Sequence, residues 1–289
     1  PFATMPALAT ASSQTASADS LDSTIPIRRG MPSAEKEVDA SFPPGSGREL
    51  MRVAVPLVIS AGSLSMMFVI DRVLLARNDI NAVAAALPAG MLHLTLISVF
   101  MGTSTYINTF VAQYEGAGRP ERVALAVWQG IVFTLISSLL LLGCVPLAPS
   151  IFRRLGHDPS IQHMEAEYFS MMCLGTLPVL MQGTLACFYS GRGRTDIIMW
   201  TNLSAMVVNG LLDYWFISRG GPIPSWGIWG AAFATVLANV YSLAVYSFAM
   251  IFGGDARRYG MASSWRVGRE PFAGLMRVGL PGPFGPTRP

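Results

Sequence analysis

Charge is scarce in this sequence. Only 13% of its 289 residues are Asp, Glu, Lys or Arg, and 52% are hydrophobic, whereas a soluble domain carries about 25% charged residues. The mean hydropathy is +0.45. The apolar residues fall in long runs, without the polar–apolar alternation over ~10 residues that marks a membrane β-strand. This pattern predicts an all-α integral membrane protein.

Cysteine is also scarce, and its placement argues against several kinds of site. The three cysteines, Cys144, Cys173 and Cys187, all lie in apolar runs, and the sequence has no CxxC pair or Cys/His cluster. We therefore expect neither a disulfide framework nor a metal site built on cysteine. Phosphate-binding loops, dinucleotide-binding motifs and hydrolase motifs are absent as well. We expect no enzyme activity, no cofactor and no nucleic-acid partner.

Six apolar runs are long enough to cross a ~30 Å hydrocarbon layer as helices. They cover residues 50–76, 82–112, 123–145, 165–189, 197–218 and 228–252. Residues 1–47 are rich in Ser, Ala, Thr and Pro, which predicts a disordered tail. Residues 48–252 are predicted to form a six-helix transmembrane lobe. Residues 253–289 are predicted to form a loop and the truncated start of a seventh helix at 271–280, and a chain that begins with Pro1 is expected to be incomplete.

The basic residues predict the orientation of these helices. Arginine and lysine are more frequent between the runs on the side of the N-terminal tail than on the opposite side. The positive-inside rule therefore predicts a multi-pass protein of the cell (inner or plasma) membrane with a cytoplasmic N-terminus. An even number of helices returns the chain to the cytoplasm after residue 252.

Two acidic side chains lie deep within the predicted spans. Asp71 and Asp213 each lie towards the outer end of a run that starts at the cytoplasmic side. A carboxylate at such a depth costs several kcal/mol and is by default a sign of function. Asn209 precedes Asp213 by one helical turn and shares its face. The alternative is that both acids mark the outer membrane interface, because Arg72 adjoins Asp71.

Prolines occur within or beside several of the runs, at Pro56, Pro88, Pro146 and Pro178. Each removes a backbone hydrogen bond and is expected to bend its helix. Such bends are either hinges or static features, and the sequence leaves both open.

Four segments together resemble, in this order, the multidrug and toxic compound extrusion (MATE) transporters. The first run contains Pro56 and Asp71, and the second ends in VAQYEGAGR. A GRGRT turn precedes the fifth run, and the fifth and sixth runs contain NGLLDY and GIWGAAFAT. The resemblance spans about residues 48–280, and the ordered set is more specific than any one motif.

This resemblance implies a secondary antiporter of twelve helices in two six-helix lobes, of which the chain matches the N-terminal lobe. It implies export of small organic cations, drugs or polycyclic compounds in exchange for H⁺ or Na⁺. Asp71, Asn209 and Asp213 fall on the family's ion site, where Na⁺ would also bind. Thr235 falls on the cavity wall, and Pro56 on the hinge of a mobile first helix. The implied partners are membrane lipid and a missing C-terminal six-helix lobe, without which we expect the chain to be inactive.

One position departs from the family pattern. A small or hydroxyl residue often follows the first-helix acid, whereas this sequence has Arg72, whose charge is expected to keep Asp71 ionised. Two other interpretations stay open. A lipid-linked oligosaccharide flippase of the same wider group would need several Arg or Lys residues inside the helices. A non-functional truncated membrane module would explain the missing half.

Overall fold

The computed structural model describes residues 47–217 and 226–261, which belong to one compact unit. Every regular element in these residues is a helix, so the all-α prediction is confirmed. The predicted tail, apart from Gly47, and the predicted seventh helix at 271–280 lie outside the described residues.

Nine α-helices follow one another in the described ranges. They are α1 (Gly47–Asn78), α2 (Ile80–Gly116), α3 (Pro120–Leu142), α4 (Ala148–Leu155), α5 (Pro159–Leu174), α6 (Thr176–Gly191), α7 (Thr195–Ile217), α8 (Gly227–Phe252) and α9 (Asp255–Arg258), with a 3₁₀ turn at Val145–Leu147. We call the end of the bundle where α1 passes into α2 the Asp79 end. The end where α2 finishes is the Glu115 end.

Local sequence explains where several helices begin and end. The Asp79 side chain caps α2 by accepting a hydrogen bond from the backbone N–H of Asn81 at 2.9 Å. Asp158 caps α5 in the same way, by accepting from the backbone N–H of Ser160, and it also accepts from the Ser160 hydroxyl at 2.6 Å. The hydrogen bond from the hydroxyl, together with the one from the backbone, lowers the pKa of the Asp158 carboxyl. Gly156 ends α4 in the left-handed region at φ 73°, which glycine adopts without steric cost.

All six predicted segments are helical, but they are not equally apolar. By length and composition, the spans Ala54–Asn78, Ile80–Gly116, Pro120–Leu155 and Gly227–Phe252 can each cross a membrane, and α5 with α6 makes a fifth if the pair counts as one bent span. Helix α7 is long enough to cross a membrane but is less apolar than these spans, because Asn202, Asn209 and Asp213 lower its hydropathy. Helix α7 packs against α1 and α8.

The predicted fourth helix at 165–189 is present as a bent pair of helices. It begins earlier, at Pro159, and breaks at Gly175 into α5 and α6, which are bent by 43°. A Cβ atom on Gly175 would lie 2.3 Å from Cγ2 of Val236 on α8, so a glycine is needed for this close approach. The break therefore precedes Pro178.

The other prolines differ from one another in effect. Helices α1 and α2 are continuous through Pro56 and Pro88. Pro146 lies in the 3₁₀ turn between α3 and α4, where the missing N–H is tolerated. Only this last proline coincides with an interruption.

Buried apolar clusters hold the helices together: a large one towards each end of the bundle, and a small one of Ile97, Leu141 and Leu180. The cluster at the Asp79 end includes Ala85, Phe152 and Phe169. The cluster at the Glu115 end includes Ile107 and Tyr189. Much of the outer surface is apolar and exposed, including Val58, Phe68, Leu139, Leu140 and Phe252. Such a surface suits contact with lipid, and the chain is a multi-pass membrane protein.

Candidate functional site

Helices α1 and α7 lie side by side and run in the same direction. Near the Glu115 end, Nδ2 of Asn202 donates a hydrogen bond to Oγ of Ser60 at 2.5 Å. Further along, a Cβ on Gly210 would lie 3.6 Å from Cγ2 of Ile70. Residue numbers increase together along both helices between these contacts, which places Asp71 level with the turn of α7 that contains Asp213.

The seam between α1 and α7 buries three polar side chains. Asp71 is 3% exposed, and Asn209 and Asp213 are 0% exposed. The charges of Asp71 and Arg72 both act on Asp213, so the two carboxylates lie within electrostatic reach of each other. The structure thus brings together the three residues that the sequence singled out, while their role as an ion site stays a prediction.

These side chains have unsatisfied polar atoms. Among the described residues, Oδ1 of Asp71, both carboxylate oxygens of Asp213 and both amide atoms of Asn209 are buried without a hydrogen-bond partner. Each such buried group costs about 1–3 kcal/mol, and more when it is charged. Carboxylate and amide oxygens are ligands that hard cations prefer, and a carboxylate also takes a proton. The cluster is therefore chemically suited to bind H⁺ or a small cation such as Na⁺.

Arg72 lies beside this cluster, and its guanidinium faces α5 and α2. Its Nη1 lies 3.8 Å from Oδ2 of Asp71. Its Nη2 donates to the hydroxyl oxygen of Tyr168 on α5 at 3.5 Å, and its guanidinium carbon lies 5.7 Å from the centre of the Tyr168 ring. On α2, a Cβ on Gly90 would lie 3.7 Å from Nη2. The sequence showed that Arg72 adjoins Asp71, but nothing in it marks Tyr168, whose position depends on the packing of α5.

Thr235 does not join this cluster through its hydroxyl. That hydroxyl donates to the carbonyl oxygen of Ala231 within α8 at 3.1 Å. The carbonyl oxygen of Thr235 accepts from Nδ2 of Asn239 at 2.7 Å, and Oδ1 of Asn239 accepts from Nε2 of Gln182 on α6. Thr235 thus belongs to a polar chain between α6 and α8 that sequence reasoning missed. A cavity-wall role for Thr235 stays a prediction.

Pro56 lies one turn before Ser60 on α1 and is half-buried. It therefore lies next to the Ser60–Asn202 hydrogen bond that ties α1 to α7. This position is compatible with the predicted hinge, which stays a prediction.

A second polar cluster, which we call the Arg192 clasp, lies at the Glu115 end. Nη2 of Arg192 contacts Oδ1 of Asp255 at 2.9 Å, and both side chains are 6% exposed. The guanidinium carbon lies 4.7 Å from the ring centres of both Phe188 and Tyr259. The hydroxyl of Tyr259 donates to the Glu115 carboxylate at 3.0 and 2.9 Å. The clasp thus ties the segment after α8 to the end of α2 and to the turn between α6 and α7.

A groove of about 530 Å³ lies at the Asp79 end, between the α3–α4 turn, α5 and α8. Arg153, Glu167 and Trp229 are among the residues that line it. It includes neither carboxylate of the buried seam. Within residues 47–217 and 226–261, no group of three or more His, Cys, Asp or Glu side chains is placed to hold a metal ion. Any cation at the seam would thus need the Asn209 amide or other oxygens beside the two carboxylates.

Comparison with known proteins identifies relatives of this arrangement. The MatE family model matches residues 56–215. A probable multidrug resistance protein NorM of Geobacillus kaustophilus is 25% identical over 247 residues, which are 83% of this chain and 53% of that protein. The NorM protein of Bradyrhizobium diazoefficiens is 27% identical over 234 residues, or 81% and 50% of the two chains. The chain spans about half the length of the curated relatives it matches.

Solved structures show the same fold. One described as the outward-facing conformation of a multidrug resistance MATE family transporter of the MOP superfamily superposes with a TM-score of 0.72 at 20% identity, over 80% of this chain and 51% of that one. A MOP superfamily transporter from Pyrococcus furiosus gives a TM-score of 0.70 at 19% identity, with the same coverage. These likenesses establish the fold alone. Since the family model matches more than half of its residues, the chain belongs to the MatE family, and its coverage is that of one lobe of such a transporter.

Proposed function

We propose that the chain forms one lobe of a secondary active antiporter that exports cationic or polycyclic organic compounds in exchange for H⁺ or Na⁺. The observation that carries this proposal is the buried seam of Asp71, Asn209 and Asp213. Oδ1 of Asp71, both carboxylate oxygens of Asp213 and Oδ1 of Asn209 have no hydrogen-bond partner among the described residues. Relatives named multidrug resistance proteins support export of drugs. The activity is transport rather than catalysis.

Exchange follows from the charge of the seam. Two buried carboxylates favour a cation or proton, because an uncompensated buried negative charge is costly. A cation already bound lowers the attraction for a second one. Binding of H⁺ or Na⁺ at Asp71, Asn209 and Asp213 would therefore favour release of a cationic compound, and loss of the ion would favour its capture.

Movement of α1 would link this exchange to alternating access. Helix α1 packs chiefly against α7, with fewer contacts to α2 and α8. Near its end, Leu74 and Leu75 of α1 join the apolar cluster at the Asp79 end. The part of α1 before them can therefore shift along the α7 seam without separating that cluster. Pro56 removes one backbone hydrogen bond from α1 and lies beside the Ser60–Asn202 contact, which makes it the proposed hinge. Thr235, on α8, is proposed to line the wall of the cavity.

The placement in the membrane follows from the arginines. Five exposed arginines lie at the Glu115 end, namely Arg119, Arg122, Arg194, Arg257 and Arg258, against three at the Asp79 end, namely Arg77, Arg153 and Arg154. The positive-inside rule then puts the Glu115 end, where α1 also begins, on the cytoplasmic side of the cell membrane. The two carboxylates lie towards the opposite end, in the outer half. A second six-helix lobe is the proposed partner that completes the cleft.

Drug efflux driven by an ion gradient tests this function. The chain is joined to a second six-helix lobe, expressed in cells, and ethidium efflux is followed by fluorescence under an imposed H⁺ or Na⁺ gradient. We expect Asp213→Asn and Asp71→Asn each to reduce ion-driven efflux by at least about tenfold, because each removes a charge of the seam.

The matched control is Glu167→Gln, which removes one negative charge from a partly exposed position of α5. This variant should transport like the wild type. Wild-type efflux by both seam variants would contradict the assigned site. Efflux that does not depend on either ion gradient would contradict the antiport mechanism.

A further inference from the structure

We propose that Arg72 is a built-in counter-ion for Asp71, so that the seam carries one net negative charge and takes one monovalent cation at Asp213 and Asn209. This inference rests on the proposed function and deepens it, because it assigns different roles to the two carboxylates. Asp71 balances Arg72, and Asp213 receives the exchanged ion.

The charges of the cluster set the number of cations. Two carboxylates and one guanidinium leave a net charge of −1, which one monovalent cation neutralises. Without Arg72 the same seam would carry −2 and would favour two monovalent cations or one divalent cation. Because buried uncompensated charge is costly, the arginine sets both the number and the valence of the ions that the seam accepts.

Arg72 is fixed in place rather than directed away from the bundle. Its side chain is 24% exposed, and its terminal nitrogens face inward: Nη2 donates to Tyr168 on α5, while Nη1 is buried without a hydrogen-bond partner, 3.8 Å from Asp71. The Tyr168 ring lies against the guanidinium carbon at 5.7 Å. An arginine that only reached for the membrane surface would leave its guanidinium in solvent. Here Tyr168 on α5 contacts the guanidinium, which lies beside the seam.

The two carboxylates differ in what remains free on each. One oxygen of Asp71 faces the guanidinium and the other lacks a partner. Both oxygens of Asp213 lack partners, and so do both amide atoms of Asn209 one turn away. Asp213 and Asn209 therefore offer the larger set of free oxygen ligands, three in all, and no ion pair of Asp213 competes for them among the described contacts.

This arrangement predicts a distinctive response to changes of charge. Asp71→Asn leaves the Arg72 charge with Asp213 as its remaining partner, so the seam becomes neutral and loses cations. Removal of both charges in Asp71→Asn/Arg72→Gln restores a net charge of −1, carried by Asp213. Binding should then return, even though Asp71 is still absent. If Asp71 were instead a direct ligand and Arg72 only a packing residue, the double variant would bind as poorly as Asp71→Asn.

The test measures Na⁺ binding to the purified full chain in lipid nanodiscs by isothermal titration calorimetry, with N-methylglucamine chloride keeping the ionic strength constant. We expect Arg72→Gln to bind Na⁺ at least about tenfold more tightly than the wild type, and Asp71→Asn at least about tenfold more weakly. The Na⁺ affinity of the double variant should lie within about threefold of that of the wild type. Arg72→Lys keeps the charge, so its Na⁺ affinity should match that of the wild type. Size-exclusion profiles identify any variant that fails to fold. If Arg72→Gln fails to fold, the near-isosteric Asp71→Asn and the charge-conserving Arg72→Lys can still be compared with the wild type.

Recovery of binding in the double variant supports the inference. A double variant as weak as Asp71→Asn overturns it, as does an Arg72→Gln variant with unchanged affinity. Absence of Na⁺ binding in all of these proteins also overturns it, since a seam with two uncompensated carboxylates should take Na⁺. The proposed function would survive that last result, because its own test is efflux driven by either H⁺ or Na⁺.

Discussion

The Arg192 clasp predicts a large difference between two arginines that contact the same carboxylate. Arg192 is 6% exposed and 2.9 Å from Asp255, whereas Arg194 is 45% exposed and 3.7 Å from it. We propose to replace each by methionine, which keeps an unbranched side chain of similar length and removes the charge. The two variants have the same change of net charge and lie two residues apart.

The contacts give the expected magnitudes. Arg192→Met loses a charged hydrogen bond worth about 1.5–3 kcal/mol and two contacts with aromatic rings worth about 0.5–2 kcal/mol each. It also leaves the Asp255 carboxylate buried with only the distant Arg194. Removal of one partner of a buried ion pair costs about 3–5 kcal/mol, which agrees with these contributions. Arg194→Met removes an exposed arginine at a longer distance and leaves the Arg192–Asp255 pair intact, so it should cost about 0–1 kcal/mol.

Thermal unfolding of the purified chain, followed by tryptophan fluorescence, measures the difference. For a protein of this size 1 kcal/mol shifts the midpoint by roughly 2–4 °C, so Arg192→Met should unfold at least about 6 °C below the wild type and Arg194→Met within about 4 °C of it. Equal midpoints for the two variants would refute the argument, because the same carboxylate would then be stabilised without regard to burial. A larger effect of Arg194→Met would refute it as well.

Two further predictions concern packing and alkaline pH. A Cβ on Gly230 would lie 2.7 Å from the backbone oxygen of Phe216, so Gly230→Ala should force α7 and α8 apart and cost about 1–3 kcal/mol. The control is Gly183→Ala, whose added Cβ meets nothing within 4 Å and should leave the unfolding midpoint nearly unchanged. Equal shifts of the midpoint in the two variants would contradict the packing argument. Burial raises the pKa of the Tyr259 hydroxyl from 10.0 to about 12, against the opposing effect of Arg192. Since the unfolded phenol ionises first, this contribution to stability is intact below about pH 10 and is lost as pH rises towards 12. The free energy of unfolding of Tyr259→Phe should therefore fall less steeply with rising pH than that of the wild type over this interval. Parallel pH dependences would exclude the phenol as the cause.

The sequence was sufficient for the fold class and for the residues of the seam, for identifiable reasons. Apolar runs of membrane-spanning length predict helices because an isolated backbone cannot stay unpaired in lipid. The four-residue spacing of Asn209 and Asp213 puts them on one face of any helix. Asp71 was recognisable because a carboxylate in an apolar run is costly.

What the sequence did not reveal depends on contacts between distant segments. Asp71 and Asp213 lie at the same height in the bundle because of the register between α1 and α7. Contacts of Ser60, Asn202 and Gly210 between the two helices determine that register. The break at Gly175 reflects the close approach of α8, which the sequence around Gly175 does not predict.

The same holds for charges that meet across the fold. Sequence adjacency exposed the pairing of Asp71 with Arg72, but not Tyr168, which lies 96 residues further along the chain. The Arg192 clasp joins segments 63 residues apart. The motif position of Thr235 likewise gave no sign that its hydroxyl donates to the Ala231 carbonyl oxygen within α8.

The central claim is that Asp71 and Asp213 share one buried site, and cysteine cross-linking tests it independently of the coupling ion. With Cys144, Cys173 and Cys187 replaced by Ala, the pair Asp71→Cys/Asp213→Cys is treated with a short bifunctional methanethiosulfonate reagent. The control pair Asp71→Cys/Asn202→Cys differs by 11 residues along α7, or about 16 Å. We predict that the first pair becomes cross-linked within one chain, as detected by mass spectrometry, and that the control pair does not. Failure of the first pair, or equal reaction of both, would contradict the shared site.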